Sequence, residues 1–299
     1  MAASGKILVT GHRGQLGSDL VLGLSPRFKV TGVDLPEVDI RDLKKVLAAV
    51  RRTRPDIVIH AAAYTDVDAC ETDHEMAFEV NRDGTWNVAQ ACEEIGARMI
   101  YYSTDYVFDG SKPSAYVEDD IPNPRTVYGR SKLEGEEAVQ DMVFDHTILR
   151  VAWVYGRHGK NFVKTMIRLG KQQLAGGDSV ARSPIRVVDD QFGNPTWTAD
   201  IVRQTEAAIE HDLMGVFHAT GEGETSWYHF ARDIFTGLEM KVDLQSCTTA
   251  EYPRPAPRPG RSALENRRLK EAGCNVMRDY KTALTDFLNR HGRELLNEM

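Results

Sequence analysis

Only four cysteines occur in 299 residues, and Cys70, Cys92, Cys247 and Cys274 show neither a CxxC spacing nor any clustering with histidine. This excludes a disulfide framework or a cysteine-held zinc as the organising element. Also missing is any apolar run near the ~20 residues that a membrane-spanning helix needs. Basic charge is in deficit: 37 Lys and Arg against 44 Asp and Glu leave a net charge of −7. That balance opposes the phosphate contacts of a nucleic-acid binder. There is no internal repeat and no low-complexity segment. The opening Met1-Ala2-Ala3-Ser4-Gly5 lacks the charged and apolar parts of a secretion signal. The expectation is a cytoplasmic protein with neither a membrane nor a nucleic acid as partner. What is present, 41% hydrophobic and 27% charged residues, suits one large globular domain or two smaller ones.

The first half alternates short apolar runs with helical patterns. Strands are predicted at Lys6–Thr10, Phe28–Val33, Asp56–His60, Met99–Ser103 and His146–Val151. Helices are predicted from Asp19 to Leu24, Leu43 to Arg52, Ala77 to Ile95 and Thr126 to Gln140. This rhythm implies an α/β fold, a doubly wound parallel sheet of the Rossmann type with helices on both faces. After about residue 155 the texture changes. Glycines cluster at Gly156, Gly159, Gly170, Gly176 and Gly177, and prolines keep residues 251–262 extended before a terminal helix from Asp279 to His291. Residues 1–155 read as a dinucleotide-binding domain. Residues 156–299 read mainly as a smaller mixed α/β substrate-binding region, with segments returning to the first domain.

Gly11-x-x-Gly14-x-x-Gly17 sits between a strand and a helix, the context in which such a pattern has meaning. A pyrophosphate needs a tight turn, close backbone approach and the free amides of a helix N-terminus. Asp34, at the end of the second strand, is placed to accept hydrogen bonds from an adenosine ribose diol. Asp34 favours NADH, whereas Arg13 inside the loop attracts the 2′-phosphate of NADPH; the sequence leaves the two open.

Tyr128 and Lys132 are four residues apart on one face of a predicted helix. A phenol titrating near ~10 is a sluggish acid at neutral pH, and a nearby ammonium lowers that value and makes it usable. The spacing alone also fits any exposed helix. It gains weight from Thr104, at the end of the fourth strand beside the ligand crevice of such a sheet.

Taken in order, Gly11-x-x-Gly14-x-x-Gly17, Thr104 and Tyr128-x-x-x-Lys132 resemble the extended short-chain dehydrogenase/reductase superfamily. Longer strings resemble the dTDP-4-dehydrorhamnose reductase family more narrowly. These are Gly14-Gln15-Leu16-Gly17, Ala62 to Asp68, Ser103 to Gly110, Arg150 to Gly156 and Asp190 to Thr196, with Arg258-Pro259 followed by Ser262 and Leu264. The likeness spans residues 6 to 290. It implies transfer of hydride from NADPH or NADH to C4 of a dTDP-linked 4-keto-6-deoxy sugar, the C4 ketone of dTDP-4-dehydro-6-deoxy-L-mannose. By that resemblance Tyr128 protonates the new alkoxide, Lys132 tunes Tyr128 and holds the nicotinamide ribose, and Thr104 orients the carbonyl. The cofactor is expected along Gly11, Arg13, Gly14, Gln15, Leu16, Gly17, Asp34, Asp39, Ile40, Ala61, Ala62, Ala63 and Tyr64. The substrate is expected at Thr65, Val67, Thr104, Tyr106, Trp153, Asn194, Thr196 and Arg258, with Arg261 a further partner for the diphosphate.

Some members of the family dimerise through a metal held by acidic side chains. Gln15 is neutral where those members carry a carboxylate, so no metal is expected; Asp189 and Asp190 read as a solvated or capping pair, and a homodimer is left open. Two other readings stay open. One is a non-catalytic regulatory subunit like the β subunit of methionine adenosyltransferase, which resembles the same family. The other is a reductase of a different nucleotide-linked 4-keto-deoxy sugar.

Overall fold

Ile7, Leu8 and Val9 are fully buried in succession, which places β1 (Lys6–Thr10) between two apolar layers. The computed structural model of the chain describes residues 5–175 and 183–298; Gly176, Gly177 and the first four residues lie outside them. After β1 come α1 (Gln15–Leu24), β2 (Lys29–Val33), α2 (Leu43–Thr53), β3 (Ile57–His60), α3 (Val67–Cys70), α4 (His74–Phe78) and α5 (Gly84–Ile95). Then follow β4 (Arg98–Thr104), α6 (Val127–Met142) and β5 (His146–Val151). Side-chain caps start several of these helices: Asp42 accepts from the amides of Lys44 and Lys45 at α2, and Thr126 accepts from Gly129 at α6.

The second half runs β6 (Val154–Tyr155), α7 (Phe162–Ala175), β7 (Ile185–Val188), β8 (Phe192–Gly193), β9 (Thr196–Trp197), α8 (Thr198–Glu210) and β10 (Gly215–His218). It ends with β11 (Thr225–Ser226), α9 (Trp227–Gly237), β12 (Leu244–Cys247), α10 (Arg267–Glu271) and α11 (Tyr280–Glu298). The main sheet has six strands in the order β10-β5-β4-β3-β1-β2, all paired in parallel. The doubly wound α/β sheet expected from the strand–helix rhythm is therefore present, and β10 from the second half closes one edge. Short pairs β6–β9, β7–β12 and β8–β11 stand apart from it.

Side-chain alternation divides the core. Ile7, Val9, Ile59, Ile100 and Leu149 face α1 and α8 through Leu20, Leu24, Ile201 and Val202. Leu8, Val58, Met99, Tyr101 and Ile148 face α2, α5 and α6 through Val46, Val50, Val88, Cys92 and Val139. A separate cluster around Tyr155, Phe230 and Phe287 unites the second half.

Two helices depart from the sequence reading. The single helix expected from Ala77 to Ile95 is interrupted by a wide turn at Glu79–Asp83, and the terminal helix continues past His291 to Glu298. Such π-type turns interrupt helices where a side chain must be re-aimed. Here the re-aimed residue is Asn81, which is buried.

Candidate active site

The strand order changes direction at β1, whose neighbours are β2 on one side and β3 on the other. A crevice opens at the carboxyl ends of strands at such a point. In this chain it is a cleft of about 410 Å³ lined by residues from β3, β4, α6 and the second half.

The glycine turn forms the wall nearest β1. Gly11 has a left-handed backbone (φ +68°), and a Cβ there would lie 2.6 Å from the Ala62 amide nitrogen. A Cβ on Gly17 would fall on the Gly11 carbonyl. Glycine is therefore required at both positions for α1 to start where it does. Gly14 caps α1 without using a side chain, so its first amides stay directed at the cleft. Gln15 ties this turn to the second half: its amide donates to the Val154 carbonyl and accepts from Asn161, both at 3.0 Å.

Asp34 and Arg13 meet at the end of β2. The Asp34 carboxylate accepts from the backbone amides of Arg13 and Leu35, each at 2.8 Å. The Arg13 guanidinium pairs with Glu37 at 3.0 Å, and both side chains are more than half exposed. A pair so exposed is weak, so the guanidinium is free to turn to a stronger anion. Asp39 is held by Arg41 at 2.7 Å, and Ile40 is buried in the core beside α5. Gly11, Arg13, Gly17, Asp34, Asp39, Ile40 and Tyr64 do not line the cleft.

Those that line it are Gly14, Gln15, Leu16, Ala61, Ala62, Ala63, Thr65, Val67, Thr104, Tyr106, Tyr128, Lys132 and Trp153. Thr104 ends β4; its hydroxyl donates to the Asp105 carboxylate at 3.0 Å and accepts from the Tyr106 amide at 3.2 Å. Tyr128, near the start of α6, meets Tyr106 edge-on with ring centres 5.7 Å apart. Burial holds its phenol above the ordinary range, with the neighbouring Thr104 hydroxyl acting the other way.

Lys132 lies one turn further along α6. Its ammonium rests 4.0 Å above the ring of Tyr101 and makes no hydrogen bond among the described residues. Burial pulls its pKa down to about 7, countered by Glu136 one turn beyond. Glu136 in turn is locked to Arg150 of β5 by hydrogen bonds of 2.9 and 2.6 Å. His60 sits below, bonded to Thr10 and Thr85, and burial together with Lys132 lowers it to about 3, which keeps it neutral.

Several side chains in or behind the cleft escaped the sequence reading. Asp105 is buried and also accepts from Ser262; burial pushes its carboxyl up to about 6. Its signal was its place next to Thr104 at a strand end. Asn81 accepts from the Tyr64 amide at 2.8 Å and donates to the Tyr64 carbonyl and to Ser131, both at 3.0 Å. It therefore fixes the β3 loop against the helix carrying Tyr128. Lys160 and Trp227 complete the cleft from the second half, and nothing in their local sequence marks them.

Three expected substrate contacts are placed differently. Asn194 is buried, its amide donating to the Gly223 carbonyl and accepting from the Leu264 amide. Thr196 is fully buried between the Asn194 carbonyl and the Gly221 amide. Their polar groups are engaged with backbone, and neither lines the cleft. Arg258 pairs with Asp68 at 2.9 Å, and Arg254 joins the same carboxylate. Arg261 pairs with Glu224 at 2.6 Å. The proline-containing segment that carries these arginines is thus fastened to the first half by Asp68 and by the Ser262–Asp105 bond. Asp189 accepts from the hydroxyl of Ser226, which caps α9, and Asp190 accepts from the amide and hydroxyl of Thr249.

The residues present fit a dinucleotide. A glycine cradle that any Cβ would fill lies beside unspent helix amides, and a buried ammonium lacks an acceptor.

The chain matches the family described as the RmlD substrate binding domain over residues 5–293. It is 41% identical over 278 residues to a dTDP-4-dehydrorhamnose reductase of Sinorhizobium fredii, which covers 89% of this chain and 90% of that protein. A dTDP-4-keto-6-deoxy-D-glucose reductase of Streptomyces niveus is 40% identical over 289 residues, 93% of this chain and 94% of that one. The fold matches the crystal structure of dTDP-4-dehydrorhamnose reductase from Bacillus anthracis in complex with NADP. That match has a TM-score of 0.91 and 38% identity, and covers 96% of this chain and 99% of that one. By whole-chain identity as well as by its motifs, the chain belongs to the dTDP-4-dehydrorhamnose reductase family.

Proposed function

We propose that this cleft reduces the C4 ketone of dTDP-4-dehydro-6-deoxy-L-mannose to dTDP-L-rhamnose. The observation that carries the reading is the convergence of Thr104, Tyr128 and Lys132 on one cleft beside the glycine turn. A bound nicotinamide supplies the hydride to C4. Gly11, Gly14 and Gly17 admit the pyrophosphate, with Arg13 and Asp34 at the adenosine ribose. Lys132 turns from the Tyr101 ring to the nicotinamide ribose hydroxyls. The Asp39–Ile40 segment would flank the adenine, while Ala61, Ala62, Ala63 and Tyr64 would border the path between the two ends.

Tyr128 Oη donates its proton to the alkoxide oxygen that forms at C4. Burial keeps the phenol protonated until that oxygen becomes a stronger base. Thr104 turns its hydroxyl proton from Asp105 to the same oxygen and keeps it in register with Tyr128. Val67 and Trp153 bracket the sugar, with Thr65 and Tyr106 nearby. The diphosphate draws Arg258 from Asp68, exchanging one carboxylate for a stronger bidentate partner. Residues 1–155 serve as the cofactor domain and residues 156–299 mainly as the substrate region, and the work is done in the cytoplasm.

The test is nicotinamide absorbance followed with purified protein and dTDP-4-keto-L-rhamnose, using NADH and NADPH in parallel. Sugar-dependent oxidation that disappears in Tyr128→Phe supports the reading and ranks the cofactors. No oxidation by protein that still binds NADPH refutes it.

A further inference from the structure

Among the described residues that line the cleft, Trp153 alone combines a side chain with a left-handed backbone, at φ +46°. A bulky residue takes that conformation only where its surroundings impose it. Three surroundings do so. The Trp153 carbonyl accepts from the Thr196 amide, which fixes the turn between β5 and β6. Gly193 leaves room for the indole: a Cβ there would lie 2.5 Å from Trp153 Cε2. And Trp227 stacks on the Trp153 ring, with centres 3.5 Å apart and planes 6° from parallel.

Trp227 is itself held. It is the first residue of α9, whose cap Ser226 is fastened by Asp189. Phe162 packs against its ring with centres 4.5 Å apart. Both indoles are partly buried and line the cleft. A lone tryptophan at a cleft mouth would hop between rotamers, and ordering it on binding would cost affinity. Two stacked indoles with a glycine behind one of them are ordered before any ligand arrives.

We infer that Trp227 is a positioning residue that, together with Gly193, holds Trp153 as a rigid platform for the hexopyranose of the substrate. The inference rests on the reading of Trp153 as a sugar contact. A 6-deoxy sugar suits such a platform, because its C6 methyl and ring C–H bonds give it an apolar face for an aromatic surface.

The experiment compares Trp153→Ala, Trp227→Ala, Trp227→Phe and Gly193→Ala with the unaltered protein. The readouts are far-ultraviolet circular dichroism, for the exciton couplet of two stacked indoles, and steady-state kinetics with NADPH and dTDP-4-keto-L-rhamnose. The unaltered protein shows the couplet, and both Trp227 variants lose it. Trp227→Ala raises KM for the sugar roughly 3- to 10-fold, with kcat and NADPH affinity held. Trp227→Phe restores KM, because a phenyl ring still supports Trp153, and Gly193→Ala weakens the couplet and raises KM. If Trp227→Ala does not fold, the Gly193→Ala and Trp227→Phe results carry the decision.

Absence of the couplet from the unaltered protein overturns the inference. So does an unchanged KM in Trp227→Ala, or an equal loss in Trp227→Phe and Trp227→Ala. An unchanged KM in Trp153→Ala sinks the sugar-contact reading itself, and that failure is recognisable because the couplet of the unaltered protein survives it.

Discussion

The Lys132 ammonium lies over the face of Tyr101, 4.0 Å from the ring centre, and not in a hydrogen bond with the Tyr128 phenol four residues away. Burial and Thr104 dominate the phenol. The tuning that the YxxxK spacing suggests therefore awaits a ligand that turns the ammonium.

Exchange of Tyr128 for phenylalanine removes the proton without altering the cleft's shape. Turnover is expected to fall roughly 10²-fold or more, with NADPH affinity nearly unchanged. Single-turnover oxidation of NADPH together with a binding titration checks this, and near-full turnover in Tyr128→Phe overturns the acid role.

Lys132 titrates at about 7 because burial disfavours its charge, so the ammonium is present below that pH and lost above it. As pH rises through about 7, kcat/KM, which reports on the free enzyme, is expected to fall. Lys132→Arg should remove that limb, since a guanidinium keeps its proton. Lys132→Met should weaken turnover and NADPH binding together. A pH profile that is the same in Lys132→Arg as in the unaltered protein would show that some other group sets the limb.

Asp105 supplies a stability test. Its folded-state pKa is raised to about 6. Between the usual carboxylate value and 6 the folded chain thus binds more protons than the unfolded one. Its contribution to stability is present at low pH and lost as pH rises through 6, on the order of 3 kcal/mol. Asp105→Asn lacks this dependence. The melting temperature of the variant minus that of the unaltered protein should therefore grow from pH 4 to pH 7, while turnover falls because an amide has one acceptor oxygen where Thr104 and Ser262 each use their own. A difference that stays flat with pH would contradict the raised pKa.

Arg13 separates the two cofactors. Its exposed pairing with Glu37 is readily exchanged for a 2′-phosphate, so Arg13→Ala should raise KM for NADPH roughly 10-fold and leave KM for NADH within about twofold. Equal effects on both, measured by initial rates, would remove Arg13 from the phosphate site.

The strands of the main sheet were legible where burial on both faces produces an unbroken apolar run. Lys6–Thr10 and His146–Val151 fall where the residues place them. The wide turn at Glu79–Asp83 was not legible, because its cause is distant: Asn81 must reach Tyr64 and Ser131, and no local pattern records that. β10 was missed for a related reason. Gly215-Val216-Phe217-His218 is too short to show a period, and only its pairing with β5 makes it a strand. Of the site, Thr104, Tyr128 and Lys132 were readable from order and spacing. Trp227 was not, since it reaches the cleft only through the packing of the second half. Asn194 and Thr196 lie in a recognisable string, yet their neighbourhood turns their polar groups onto backbone.

The pairing of β10 with β5 also bears on how the chain can be made and cut. During synthesis the first five strands of the sheet leave the ribosome well before the sixth, so β5, buried along most of its length, waits with one edge open until residue 218 arrives. An open apolar edge recruits strands from other chains. A fragment ending at residue 155 is therefore expected to aggregate, because it lacks the strand that closes this edge.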